Sequence, residues 1–180
     1  MARIIVCRND KQGNHIYLLD KWPGYRYFDT TVAKPKKDAF YGEGLRFSCT
    51  RCSACCRHEP GYVFLSKNDL KLLAEALKMN YNDIVENYCR WVSSPDGEKQ
   101  LSLREKPGFD CIFWQDGCTV YNARPLQCRT FPFWKSTLSS KKAWENQICP
   151  GIGNGTLHRA EYIENCLAER DAEPVLTRGA

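Results

Sequence analysis

The segment Cys49-x-x-Cys52-x-x-Cys55-Cys56 places four thiols within eight positions. Neighbouring sulfurs at this spacing can reach a common atom, and thiolate is the preferred soft ligand of zinc and of iron–sulfur clusters. Cys111, Cys118, Cys128 and Cys149 follow, each in surroundings rich in Gly, Pro, Arg or aromatic residues. Eight thiols suffice for two four-ligand sites, although spacing alone does not pair them. If the first block is a loop, Cys49, Cys52 and Cys55 act as three ligands at bacterial-ferredoxin spacing, and Cys56 turns toward a second site. If it is a helix, at about 100° per residue, Cys49, Cys52 and Cys56 share a face instead. In both geometries the adjacent Cys55 and Cys56 serve one metal poorly.

Zinc sites usually come as two separated Cys-x-x-Cys knuckles. Here the first knuckle is overloaded and the remaining thiols are scattered, which favours an iron–sulfur cluster. The expectation is a four-iron, four-sulfur cluster or two metal sites, with zinc or mononuclear iron as the alternative. Arg124 and Arg129 flank Cys128, where guanidinium groups would stabilise thiolate or an anionic cluster. They are candidate cofactor-binding residues, and structural hydrogen bonding is the competing reading. Cys149-Pro150 echoes the Cys-Pro that often follows a ferredoxin ligand. Cys7, Cys89 and Cys166 have no nearby companion and read as structural thiols. His58 follows the first block closely enough to be an extra ligand, but like His15 and His158 it reads first as a surface residue.

Short elements must position these residues. Residues 1–46 read as a β-rich N-terminal extension, 47–155 as the cysteine-cluster metal-binding domain, and 156–180 as a C-terminal helix and tail. In the extension, Ile4–Val6 and Ile16–Leu19 read as two strands around a polar turn. Trp22, Tyr25, Tyr27 and Phe28 then read as a cover for the next domain's core. Tyr62–Leu65 suits a strand. Ser66-x-x-Asp69 predicts a helix start with Ser66 as N-cap, continued by Leu70, Leu73, Ala74 and Leu77 at helical spacing. A second helix runs from Asn80 or Asn82 toward Trp91.

Pro95-Asp96-Gly97 is a turn and Lys99–Glu105 a strand. Cys111–Cys118 is a hairpin turning at Asp116-Gly117, and Asn122–Cys128 a short helix. Phe131–Trp134 should be extended, and a last helix should cover about Leu157 to Arg170. The fold class expected is α+β: a small, loop-rich, metal-centred domain with short strands or hairpins and about three to four helices.

At 180 residues and 43% hydrophobic content the chain is long enough to bury a core. No segment has the run of roughly 18 apolar residues that would span a bilayer. The N-terminus lacks the pattern of a signal peptide, so a cytoplasmic protein with reduced thiols is expected. The odd count of 11 cysteines also speaks against a disulfide scaffold. A net charge of +5 is an ordinary solvated surface, and no dense Lys/Arg run accompanies the cysteines, which disfavours nucleic-acid binding.

Phe47-x-Cys-x-x-Cys-x-x-Cys-Cys56, Cys111-x-Phe113 with Gly117-Cys118-x-Val-Tyr121, Arg124-Pro125-x-x-Cys128-Arg129-x-Phe131-Pro132 and Cys149-Pro150-Gly151 stand in this order. Together they resemble the CxxCxxCC cysteine-cluster family, a zinc- or iron-chelating domain, over about Phe47 to Gly153. The resemblance implies metal binding by the eight cysteines. It also implies kinship with the cysteine-rich part of flagellin lysine-N-methylases, although the chain shows no glycine-rich cofactor fingerprint. Two functions compete. One is a redox or protein-modifying accessory that carries an iron–sulfur cluster and meets a protein partner or protein substrate. The other is a structural zinc module for protein–protein interaction. Membrane binding is not expected in either.

Overall fold

The computed structural model describes residues 7–9, 15–17, 38–57 and 59–178. The chain divides into two units, residues 1–31 and 32–180. In the first, β1 (Cys7–Asn9) pairs antiparallel with β2 (His15–Tyr17), Cys7 opposite Tyr17 and Asn9 opposite His15. The strand expected at Ile4–Val6, the aromatic cover from Trp22 to Phe28, and His58 lie outside the described residues.

The second unit is α+β, with five α-helices and two small antiparallel sheets among the described residues. Among the described residues no helix is long and apolar enough to cross a membrane. Its first core forms around α1 (Lys67–Leu77) and α2 (Tyr81–Tyr88). Ser66 caps α1 as expected: its side chain accepts from the Asp69 N–H, and the Asp69 carboxylate accepts from the Ser66 N–H. The helical repeat buries Leu70 and Leu73.

The second helix ends at Tyr88, short of the expected Trp91, because Cys89–Ser93 is β4. Trp91 and Val92 suit a strand, and β4 finds a partner in β5 (Lys99–Leu103), with Cys89 opposite Leu103. The short β7 (Thr177–Arg178) adds to β5 at Lys99 and Gln100. The expected strand at Tyr62–Leu65 lies along β5 through isolated bridging, with Leu65 N–H on the Leu101 carbonyl at 3.0 Å. Leu65, Leu73, Ile84, Cys89, Leu101, Leu103, Phe113 and Val120 are buried together here.

A second core gathers Tyr41, Phe47, Phe133, Leu138, Trp144, Ala160, Ile163 and Cys166. Residues 38–46 belong to the same unit as the cysteines, since Tyr41 is buried in this core and β3 (Leu45–Phe47) pairs with β6 (Ile152–His158). Phe133 stacks on Trp144 at 5.8 Å between ring centroids and meets Phe47 edge-on at 6.1 Å.

Three expectations are corrected in this half. Leu157 and His158 lie in β6, paired with Arg46 and Leu45, so the last helix, α5 (Ala160–Ala172), starts later than Leu157. Phe131–Trp134 is turned, not extended, with Phe133 N–H on the Thr130 carbonyl at 2.7 Å. The segment Asn122–Cys128 splits at Arg124-Pro125 into a 3-10 turn, Tyr121–Ala123, and α3 (Leu126–Arg129). A short α4 (Lys141–Glu145), capped by Ser140, delivers Trp144 to the core.

Candidate metal centre

The first cysteine block is a loop and not a helix. Arg51 and Ser53 have left-handed backbones (φ 56° and 64°), and a 3-10 turn over Ala54–Cys56 closes it. These reversals of direction wrap the chain around its own sulfurs. The ten cysteines whose side chains are described are free thiols. Cys49, Cys52 and Cys55 are exposed, whereas Cys56, Cys111, Cys118, Cys128 and Cys149 are half-buried.

Main-chain bonds bring distant blocks to this loop. The Cys111 N–H donates to the Cys56 carbonyl at 2.9 Å. On the other side Ser48, just before Cys49, is pinned to the stretch after Cys149. Its hydroxyl accepts from the Thr156 N–H at 3.0 Å. Gly151 allows this approach, since a Cβ there would stand 2.3 Å from the Ser48 carbonyl oxygen. Cys128 arrives on α3, a four-residue helix introduced by Pro125.

Mutual electrostatics sort the thiols into two groups. Cys56, whose thiol donates to the Ser53 carbonyl at 3.3 Å, is held far above the ordinary thiol range, first by its contact with Cys55, then by burial and by the nearby Cys111 and Cys118. Cys128 is pushed up by burial and by Cys111, Cys55 and Cys118. Cys149, also raised first by burial, instead feels Cys52, Cys55 and Cys49. Cys56, Cys111, Cys118 and Cys128 thus form an inner group and Cys49, Cys52 and Cys149 an outer one, while Cys55 bears on members of both. Cys55 stands at their junction, lowered to about 7, mainly by the hydrogen bond from Cys56.

Several sulfurs also accept a main-chain N–H from two residues further on: Cys52 from Ala54, Cys111 from Phe113, Cys118 from Val120 and Cys149 from Gly151. Such donors favour the thiolate. They escape a reading of side-chain types because every residue but proline supplies the same N–H, and their only sequence trace is the recurring two-residue offset. For Cys111 and Cys118, burial outweighs them and the thiols are raised.

The two arginines part company. Arg124 lies over the Tyr121 ring (Cζ 3.6 Å from the centroid), donates through Nε to the Tyr121 carbonyl, and its charge reaches Cys55, Cys118 and Cys128. Arg51, which the sequence did not single out, shares that ring at 4.6 Å. Arg129 instead bonds the Arg124 carbonyl at 2.8 Å and faces Asp69 at 3.6 Å and Glu169 at 3.7 Å. Cys89 and Cys166 lie in the two hydrophobic cores, each thiol raised to about 11 by burial. His158 bonds the Phe47 carbonyl and packs on Phe133.

Among the described residues no three Cys, His, Asp or Glu side chains converge into a ready-made ion site. The sulfurs form a neighbourhood, not a closed coordination shell. Its donor chemistry nevertheless fits zinc or iron: eight thiols, main-chain N–H groups aimed at four of them, and a guanidinium alongside.

Comparison with known proteins agrees with this chemistry. The chain is 30% identical over 145 residues to Uncharacterized protein MJ0661 of Methanocaldococcus jannaschii, covering 74% of each chain. No solved structure matches it. Residues 48–150 match the model of the CxxCxxCC family, described as "Putative zinc- or iron-chelating domain", and with more than half its length inside that match the chain belongs to this family.

Proposed function

We propose that the chain carries an iron–sulfur cluster on Cys56, Cys111, Cys118 and Cys128, beside a second metal site on Cys49, Cys52, Cys55 and Cys149. It would serve as a redox or protein-modifying accessory. The observation that supports this reading is that Cys56 and Cys128 both respond to Cys111 and Cys118, two half-buried thiols packed against the first core, whereas Cys149 responds to Cys52 and Cys49. A cluster there would supply one-electron transfer. Burial, the N–H groups of Phe113 and Val120 and the charge of Arg124 are the protein's means of setting its potential.

A second reading is favoured by a different observation. Cys111 and Cys118 pack on one hydrophobic core and Cys149 on the other. Zinc in two closed four-thiol sites would then staple the two cores and stiffen a surface for a protein partner.

Anaerobic purification followed by measurement of iron, zinc and acid-labile sulfide tests both. Iron with sulfide, and a broad visible absorption that bleaches on reduction, is the result expected of the cluster. A colourless protein with tightly held zinc would favour the staple. Material folded and free of both metals would overturn the two readings together.

A further inference from the structure

Asp69 is a buried carboxylate, 1% exposed, in a domain whose other carboxylates mostly sit at the surface. Its Oδ2 accepts from the Ser66 N–H at 3.0 Å, which the helix cap explains. Its Oδ1 does something the cap does not require: it accepts from the Leu126 N–H at 2.7 Å. Leu126 is the first residue of α3, and Cys128 lies two residues further on. Arg129, on the same short helix, completes the arrangement by facing Asp69 at 3.6 Å and Glu169 of α5 at 3.7 Å.

We infer that Asp69 is the positioning residue for Cys128: one carboxylate locks the start of α1 to the start of α3 and so fixes where the Cys128 thiol enters the inner group. A four-residue helix has too few internal bonds to hold itself. Its place must come from outside, and Asp69 and Arg129 supply the polar part of that hold. The inference rests on the proposed reading only in taking Cys128 as a ligand. The lock itself is a statement about the fold.

The test compares alkylation rates of individual cysteines, read by mass spectrometry on the purified full chain, with metal content and Tm measured on the same samples. Asp69→Asn keeps the size of the side chain but puts an amide N–H where one of the two donors now points. It should make Cys128 react about tenfold faster, since losing a buried charged acceptor opens the helix by that order, with Cys111 and Cys118 unchanged. Bound metal should fall in parallel. Ser66→Ala is the control: it removes the hydroxyl end of the α1 cap and leaves the Asp69–Leu126 bond, so Tm should drop without selective exposure of Cys128.

The inference is overturned if the two variants expose Cys128 equally, or if Asp69→Asn speeds all inner thiols together. Should Asp69→Asn fail to fold, Arg129→Gln loosens the same helix more gently and must show the same selectivity for Cys128. If the wild type holds no metal, the proposed function fails, while the labelling pattern still decides the lock.

Discussion

Cys111 donates its main-chain N–H to the carbonyl of Cys56 at 2.9 Å, so the second thiol block is tied to the end of the first by backbone alone. The contact does not depend on either sulfur. It brings Cys56 near Cys111 and Cys118, which add to Cys55 and burial in raising its thiol.

From the division into inner and outer groups, single cysteine replacements should act on separate metal. Cys56→Ala or Cys128→Ala should abolish the visible absorption of anaerobically purified protein. Cys149→Ala should remove only the metal of the outer group, leaving about half of the sites filled. Metal content per chain and absorption spectra check this. Total loss from every variant alike would mean one shared centre.

Gly151→Ala should damage the outer group without touching a sulfur. The added Cβ would lie 2.3 Å from the Ser48 carbonyl oxygen and 3.0 Å from the Phe47 ring, both of which are anchored. Forcing the strands apart should cost about 1–3 kcal/mol and separate Cys149 from Cys49. Urea unfolding and metal analysis would show a stability loss joined to reduced occupancy.

Phe133→Ala tests the second core. Phe133 is 2% exposed, stacked on Trp144 and in edge contact with Phe47 and His158. Truncation should cost about 3–5 kcal/mol, with a change in Trp fluorescence, since Trp144 loses its stacking partner.

Tyr41 gives a pH dependence of definite sign. Burial, then its 2.9 Å hydrogen bond to Glu164, pushes the phenol up to about 12 from its usual 10. The unfolded chain loses this proton first, so the stabilisation is complete below pH 10 and disappears as pH rises toward 12. Tyr41→Phe should therefore cost about 1–3 kcal/mol at neutral pH and progressively less through that window. Denaturant titrations of both proteins at several alkaline pH values would measure the difference.

The cap at Ser66, the repeat through Leu73 and the turn at Asp116-Gly117 were legible because each depends on residues close in sequence. The boundary errors at Trp91 and Leu157 share one cause: a strand partner, Leu101 across a hairpin in one case and the distant Arg46 in the other, overrides a locally acceptable helix. The candidate ligands could be named from type and spacing, but not sorted. The sorting depends on the left-handed turns at Arg51 and Ser53 and on contacts of Cys56 with Cys111, none of which spacing encodes. Arg129 looked like a partner of the sulfurs because it adjoins Cys128. On a helix the next residue points elsewhere, and it meets Asp69.

The graded exposure of the thiols imposes an order on whatever reaches them from solution. Cys49, Cys52 and Cys55 form the outward face, with the half-buried sulfurs behind. Peroxide or another oxidant therefore meets the outward three first, and Cys55, its thiol lowered to about 7, is a ready target among them. A protein built this way would lose its outward chemistry under brief stress while the deeper sulfurs survived to be repaired around.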